Sequence, residues 1–206
     1  MSQYFTNDVS LKSEYRNIIY KYNNYTFNFI SDLGVFSKDK IDFASRFLIE
    51  TYFKYGRKNI TCLDLGCGYG FIGITISRIM SNSFDMVDIN KRALHLTKIN
   101  VKENNINANI YESDIYSSVN KKYDLIITNP PIRAGKDVYM NFLENAVNYL
   151  EDDGELWFVM NKKHGVKSVI EKIKNVYDID ILDKEKGFFV IICKKRWHIN
   201  FLLIKF

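Results

Sequence analysis

The sequence holds only two prolines in 206 residues, Pro130 and Pro131, where the usual ~5% would give about ten. Its three cysteines, Cys62, Cys67 and Cys193, are odd in number and lack C-x-x-C spacing. They offer neither a disulfide framework nor a zinc or redox pair, and read as reduced, small, buried fillers. The three histidines, His95, His164 and His198, read as surface or packing residues, and no metal is expected. No apolar run approaches the ~18 residues needed to cross a bilayer, and no charged-then-apolar leader opens the chain. Neither secretion nor membrane insertion is therefore expected, and a cytoplasmic protein is. There is no internal repeat and no low-complexity linker.

With 47% hydrophobic and 26% charged residues, the chain suits one globular domain large enough to bury a full core; two independent domains would be a squeeze. A net charge of +5 and a pI near 8.9 permit a nucleic-acid partner without selecting one.

From Asn59 to Lys195, short β-branched or aromatic runs alternate with helical patterns, the signature of βαβ units and a mainly parallel sheet. Strands are expected at Ile60 to Asp64, Ser83 to Asp88, Asn109 to Glu112, Tyr123 to Thr128, Gly154 to Met160, Tyr177 to Leu182 and Gly187 to Cys193. Apolar residues at near-helical spacing follow Gly70 (Ile72, Ile76, then Ile79 or Met80) and Asn90 (Ala93, Leu94, Thr97, Val101). The last two strands are separated only by Asp183-Lys184-Glu185-Lys186, too short for a crossover helix, so an antiparallel hairpin should close the sheet. Upstream, strands over Tyr15 to Tyr22 and Tyr25 to Ser31, joined at Asn23-Asn24, precede a helix from Asp39 to about Phe53 with Ile41, Ala44, Phe47, Leu48 and Tyr52 on its apolar face. Residues 1–56 read as a cover on the sheet, 57–195 as the core, and 196–206 as an apolar extension: an edge strand, a dimer contact or a tail.

Two motifs carry chemistry. Gly66-Cys67-Gly68-Tyr69-Gly70-Phe71-Ile72-Gly73 joins the first parallel strand to its helix, where glycines let backbone turn tightly against a ligand. Gly68-x-Gly70-x-x-Gly73 also matches the dinucleotide fingerprint, and Asp88 at the end of the next strand suits ribose hydroxyls in either class of cofactor. Asp64, just before the loop, is unwelcome beside a pyrophosphate but suits the ammonium of a methionine group. Asp64 and Asp88 read equally as helix caps, and Asp114 as a turn residue or an acceptor for an adenine amino group.

Asn129-Pro130-Pro131 ends the fourth parallel strand, on the rim where open α/β sheets bind ligands. Consecutive prolines remove two donors and fix φ, leaving carbonyls and the Asn129 side chain as rigid acceptors. Asn129 Oδ1 and the Pro130 carbonyl would take both N–H bonds of an NH₂ group and aim its lone pair at an electrophilic methyl, with orientation and preorganised electrostatics as the source of rate. Arg133 and Lys136 beyond the motif read as phosphate contacts or as a solvated basic loop.

These motifs, with Leu33-Gly34-Val35-Phe36-Ser37-Lys38-Asp39-Lys40-Ile41-Asp42-Phe43-Ala44-Ser45-Arg46 upstream, resemble the class I methyltransferases that modify guanine N2 of small-subunit rRNA. The resemblance runs from Tyr4-Phe5 through Lys195. It implies an α/β, Rossmann-like sheet of seven strands, mostly parallel with an antiparallel C-terminal hairpin, plus a small N-terminal cover. It also implies S-adenosyl-L-methionine as cofactor and 16S rRNA or the small ribosomal subunit as partner. By motif, Asp64, Gly66 and Gly68 would hold the methionine part, Asp88 the ribose and Asp114 the adenine. Asn129 and Pro130 would take the target amine, Pro131, Ile132, Arg133 and Lys136 the rest of the substrate, and Phe36 would lie in the cover over the cofactor. Larger members carry a duplicated N-terminal methyltransferase-like domain without counterpart in these 206 residues. Ile132 stands where related DNA adenine and protein glutamine enzymes usually have an aromatic, so Phe36 is the expected stacking platform for a base. A different acceptor (protein glutamine, DNA adenine or a small metabolite) and a non-catalytic RNA-binding assembly factor are the alternative readings.

Overall fold

A computed structural model describes residues 12–196. In chain order the elements are β1 (Arg16–Tyr22), β2 (Tyr25–Ser31), α1 (Phe43–Tyr55), β3 (Thr61–Leu65), α2 (Phe71–Met80), β4 (Ser83–Asp88), α3 (Lys91–Glu103), β5 (Ala108–Glu112), β6 (Tyr123–Thr128), α4 (Lys136–Glu144), β7 (Leu150–Asn161), α5 (Val166–Ile173), β8 (Tyr177–Glu185) and β9 (Phe188–Lys195). Seven strands form one sheet in the order β5-β4-β3-β6-β7-β9-β8. Neighbours from β5 to β7 pair parallel, and β9 pairs antiparallel with both β7 and β8. The hairpin predicted from the short Asp183–Lys186 connection is therefore present, with β8 on the edge.

Helices cover both faces, which is why the parallel strands read as near-continuous apolar runs. The two-residue period of β3 sends Cys62 into the layer with α1, α2 and α3, and Leu63 and Leu65 into the layer with α4 and α5. The chain winds outward from β3 through β4 to β5, then returns to lay β6 on the other side of β3. This reversal opens a crevice at the C-terminal ends of β3 and β6, where such sheets bind ligands.

β1 and β2 pair with Tyr22 opposite Tyr25 around Asn23-Asn24, and Ile18, Tyr20, Phe27 and Phe29 point into the core. The other edge of β2 is satisfied by side chains of α3. Asn104 accepts from Asn28 N–H at 3.1 Å and donates to Asn28 O at 2.8 Å; Asn100 accepts from Ile30 N–H at 2.7 Å and donates to Ile30 O at 2.9 Å. Two amides one helical turn apart thus imitate a neighbouring strand. The cover is pinned again where Arg92 pairs with buried Asp32 at 2.8 Å and Asn90 Nδ2 donates to Gly34 O at 3.1 Å.

Two element starts differ most from the sequence reading. α1 starts at Phe43, not Asp39, because Asp42 takes an extended conformation and its carboxylate accepts from Ser45 N–H at 2.9 Å, making it the N-cap. Ile41 falls outside the helix yet still packs on the core. β7 begins at Leu150 rather than Gly154, pairing with Tyr123 before a register shift. Of the C-terminal extension only Arg196 is described: its N–H donates to Val176 O and its Nε to Asp178. Tyr4-Phe5, His198 and the remainder of the extension lie outside the described residues. Among the described residues no helix is long and apolar enough to cross a membrane.

Asn100 is fully buried and also donates to Tyr69 O at 2.8 Å. Asn100→Ala would strand one buried donor and two acceptors, so we expect a loss of about 2–4 kcal/mol in urea-unfolding free energy. A change below about 0.5 kcal/mol, as for an ordinary surface substitution, would refute this role.

Candidate cofactor and acceptor site

A cavity of about 690 Å³ opens at the β3/β6 crevice. Phe36, Gly66, Gly68, Asp88, Asp114, Asn129, Pro130, Pro131, Ile132 and Arg133 line it; Asp64 and Lys136 do not. Residues from four loops and the cover therefore converge.

The loop after β3 is held from below by backbone: Gly66 and Cys67 N–H both donate to Val87 O at 2.9 Å. Gly68 adopts φ 58° with open space where a Cβ would lie, so its backbone faces the cavity unshielded. Its N–H donates to Asp88 Oδ2 at 2.9 Å, while Asp88 Oδ1 accepts from Asn90 N–H at 2.8 Å. Burial holds the Asp88 carboxyl above its ordinary range, although these N–H groups draw it back.

Asp64 does not reach the cavity wall. It is fully buried beneath the loop, where Oδ2 accepts from Gly73 N–H at 2.9 Å and Oδ1 has no partner among the described residues. A Cβ on Gly73 would come within 3.0 Å of that Oδ2 and 2.6 Å of Met86 Cε, so any larger residue here would have to displace the Met86 methyl and press on the Asp64 carboxyl. Burial pushes the Asp64 carboxyl up to about 7, with repulsion from Asp88 adding to it. Cys67 is buried, and burial pushes its thiol well up, which argues against a thiolate nucleophile.

Asp114 is exposed on the cavity wall in a turn closed by Ser117, whose N–H donates to Asp114 O at 2.9 Å and whose Oγ accepts from Asp114 N–H at 3.0 Å. The next residue, Ile115, lines the cavity at φ 52°, a left-handed conformation that strains a β-branched side chain.

At the end of β6, Asn129 Nδ2 donates to Asp42 Oδ2 at 3.0 Å and to Ser45 Oγ at 2.9 Å, and nothing among the described residues donates to Asn129 Oδ1. Pro131, at φ −76° and ψ 75°, centres an inverse γ-turn in which Pro130 O accepts from Ile132 N–H at 2.8 Å. One lone pair of the Pro130 carbonyl is thus engaged and the other is open. Arg133 is exposed on the rim, with Lys136 outside it at the start of α4. Phe36 is 50% exposed and lines the cavity in the cover loop.

Sequence reasoning missed Asp42 and Ser45 as neighbours of Asn129, and Asn161, His164 and Phe188 as wall residues. An aspartate before an amphipathic run signals an N-cap, which would have marked Asp42 as the helix start. Its contact with a residue 87 positions away has no local signature. Among the described residues no group of His, Cys, Asp or Glu could hold a metal ion.

A family model described as "Methyltransferase small domain" matches residues 26–192, and the chain belongs to that family. "Uncharacterized protein YbxB" of Bacillus subtilis (strain 168) is 40% identical over 93% of this chain and 98% of its own length. Ribosomal RNA small subunit methyltransferase C of Vibrio parahaemolyticus is 32% identical over 79% of this chain and 48% of its own length. The T. thermophilus 16S rRNA N2 methyltransferase RsmC, solved in complex with AdoMet and guanosine, superposes with a TM-score of 0.81 at 25% identity, covering 90% of this chain and 52% of that one. The chain therefore spans about half the length of its small-subunit methyltransferase C relatives.

The buried Asp64 sets a pH signature. With its folded pKa about 7, above the ordinary carboxylate value of 3.8, the native state keeps a proton that the unfolded chain has lost. The resulting stability is present below the unfolded pKa and is lost as pH rises towards 7. Asp64→Asn mimics the protonated form, so in urea unfolding the variant's advantage over the wild type should be small near pH 4 and grow steadily up to about pH 7. A difference independent of pH would refute the assignment.

Proposed function

We propose that this methyltransferase uses S-adenosylmethionine to methylate the exocyclic N2 amine of a guanine in 16S rRNA. The observation that carries the reading is the pair of acceptors, Asn129 Oδ1 and Pro130 O, fixed in the cavity that the glycine loop also lines.

The residues of the loop side suit this cofactor better than a dinucleotide. Asp64 and Asp88 place two buried carboxyls at the loop, and the Gly68 N–H that a pyrophosphate would seek is already given to Asp88. Burial holds the proton on Asp64 and its Oδ1 is unpartnered, so its carboxyl would ionise more readily beside a positive group such as this cofactor brings. In this reading the Gly66 and Gly68 backbone cradles the methionine part, with Asp64 acting from beneath by holding Gly73. Asp88 takes the ribose and Asp114 the adenine amine, and Phe36 covers the site. When bound, S-adenosylmethionine supplies an electrophilic methyl group.

The lone pair of a guanine amine is delocalised into the ring. Asn129 Oδ1 and Pro130 O accept its two N–H bonds, draw the nitrogen toward tetrahedral geometry and turn its lone pair toward the methyl group. The amine held by Asn129 and Pro130 would take that methyl group as the sulfur leaves with its electron pair, and the proton released from nitrogen would pass to water. Phe36 offers a ring on which an extruded base can stack, the role that Ile132 cannot fill.

Charge around the cavity supports an RNA acceptor. Among the described residues none of Arg133, Lys136, Lys162 and Lys163 takes part in an ion pair, and His164 beside them lines the cavity. At the other end of the sheet Arg57, Lys194, Lys195 and Arg196 are paired with Asp153, Glu155, Asp152 and Asp178. Cations uncommitted at the rim suit a phosphate backbone crossing the mouth.

Incubation with labelled S-adenosylmethionine and either small ribosomal subunits, naked rRNA or protein, followed by nucleoside mass spectrometry, should show N2-methylguanosine. Label recovered only in protein or in another nucleoside would overturn the substrate, and no binding of S-adenosylhomocysteine would overturn the cofactor. Asn129→Ala should lower kcat about a hundredfold or more. Phe36→Ala should raise KM for RNA about tenfold, the loss of one base-stacking contact; an unchanged KM would remove Phe36 from the acceptor site.

A further inference from the structure

The side-chain amide of Asn129 belongs to a closed triangle with two residues at the start of α1. Asp42 Oδ2 accepts from Asn129 Nδ2 at 3.0 Å, from Ser45 N–H at 2.9 Å and from Ser45 Oγ–H at 3.3 Å, while Ser45 Oγ accepts from Asn129 Nδ2 at 2.9 Å. The amide NH₂ of Asn129 is therefore committed to a carboxylate and to a hydroxyl that itself donates to that carboxylate. Ser45 is buried, and Asp42 cannot swing away without uncapping α1.

This arrangement has a polarity. Turning the Asn129 amide over would set its oxygen against the Asp42 carboxylate and leave an NH₂ facing the cavity, exchanging a charge-assisted hydrogen bond for a repulsion. The carboxylate behind the NH₂ also polarises the amide and concentrates charge on Oδ1, because hydrogen bonds in series strengthen one another.

We propose that Asp42 and Ser45 are positioning residues for methyl transfer. They hold Asn129 in the one orientation that presents an acceptor, so the site selects a substrate atom that arrives carrying hydrogens, an amine, over a carbonyl or ring nitrogen. The inference rests on the proposed function but concerns a contact that can be observed without any substrate. It also gives the N-terminal cover a part in the chemistry, since the start of α1 reaches across the crevice to the end of β6.

The test uses the full chain, Asp42→Asn, Ser45→Ala and their combination, each made also with Asn129→Ala. Asparagine caps a helix about as well as aspartate, so α1 is retained in Asp42→Asn. In nitrogen-correlated NMR of the free protein, the Asn129 side-chain NH₂ should give a slowly exchanging pair of signals that exchanges rapidly in the double variant. In methyl transfer to rRNA, each single change should lower kcat about tenfold and the pair more, from lost orientation, with S-adenosylhomocysteine affinity unchanged. In the Asn129→Ala background the same changes should cost less than about twofold, because residues acting through Asn129 have nothing left to orient. An equal loss of kcat with and without Asn129 would overturn the proposal in favour of a structural role, as would wild-type kcat in the double variant. If the wild-type protein transfers no methyl group to RNA, the proposed substrate falls. The NMR signals then still decide the orientation: a wild-type NH₂ that exchanges rapidly overturns it.

Discussion

The contact on which the site depends most lies at some distance from the reacting atoms, at the amide of Asn100. This buried side chain binds both backbone groups of Ile30 and the carbonyl of Tyr69. It joins α3 to the hairpin on one side and to the glycine loop on the other. Once β2 is fixed there, the following loop is anchored by Asp32 to Arg92 and by Gly34 to Asn90, and it delivers Asp42 to the start of α1. From Asp42 the chain of hydrogen bonds continues to Asn129. The cofactor loop and the acceptor motif are thus held at a set distance by bonds that neither motif contains.

Much of the fold was legible because its signals are local. The parallel strands are continuous apolar runs since both their faces are covered, and the four residues before Gly187 are too few for a crossover, which leaves only an antiparallel return. The switch between β3 and β6 follows from the resemblance as much as from the pattern, since strand order leaves little trace in a single sequence. The start of α1 was misplaced because Lys38-Asp39-Lys40 offers an acidic residue only three positions from the one that caps; the choice rests on a bond from Ser45 N–H that the sequence does not display.

The site was legible in its residue types and less so in their placement. Asp64 was expected beside the ligand, yet the two-residue period of β3 puts it on the same face as Cys62, the face that α2 covers. Reading that alternation one residue further would have sent its carboxyl under the helix toward Gly73. Ile115, strained at a left-handed φ on the cavity wall, gave no sequence signal at all, because isoleucine is an unlikely residue for that conformation. Such departures from local preference concentrate at ligand sites, where surrounding bonds override propensity.

The electrostatic layout shows why the chemistry proposed here needs no general base in the wall. Asp64 and Asp88 are buried at the loop, and Asp42 is committed to Asn129 and Ser45. An amine attacking a cationic methyl donor gains positive charge as the bond forms, so its N–H groups become better donors in the transition state than in the ground state. Acceptors fixed in advance, Asn129 Oδ1 backed by a carboxylate and a proline carbonyl held by its own turn, therefore gain strength as the reaction proceeds. That differential is what distinguishes catalysis from binding. On that proposal, the rigidity that the chain's only two prolines give the acceptor would convert directly into rate.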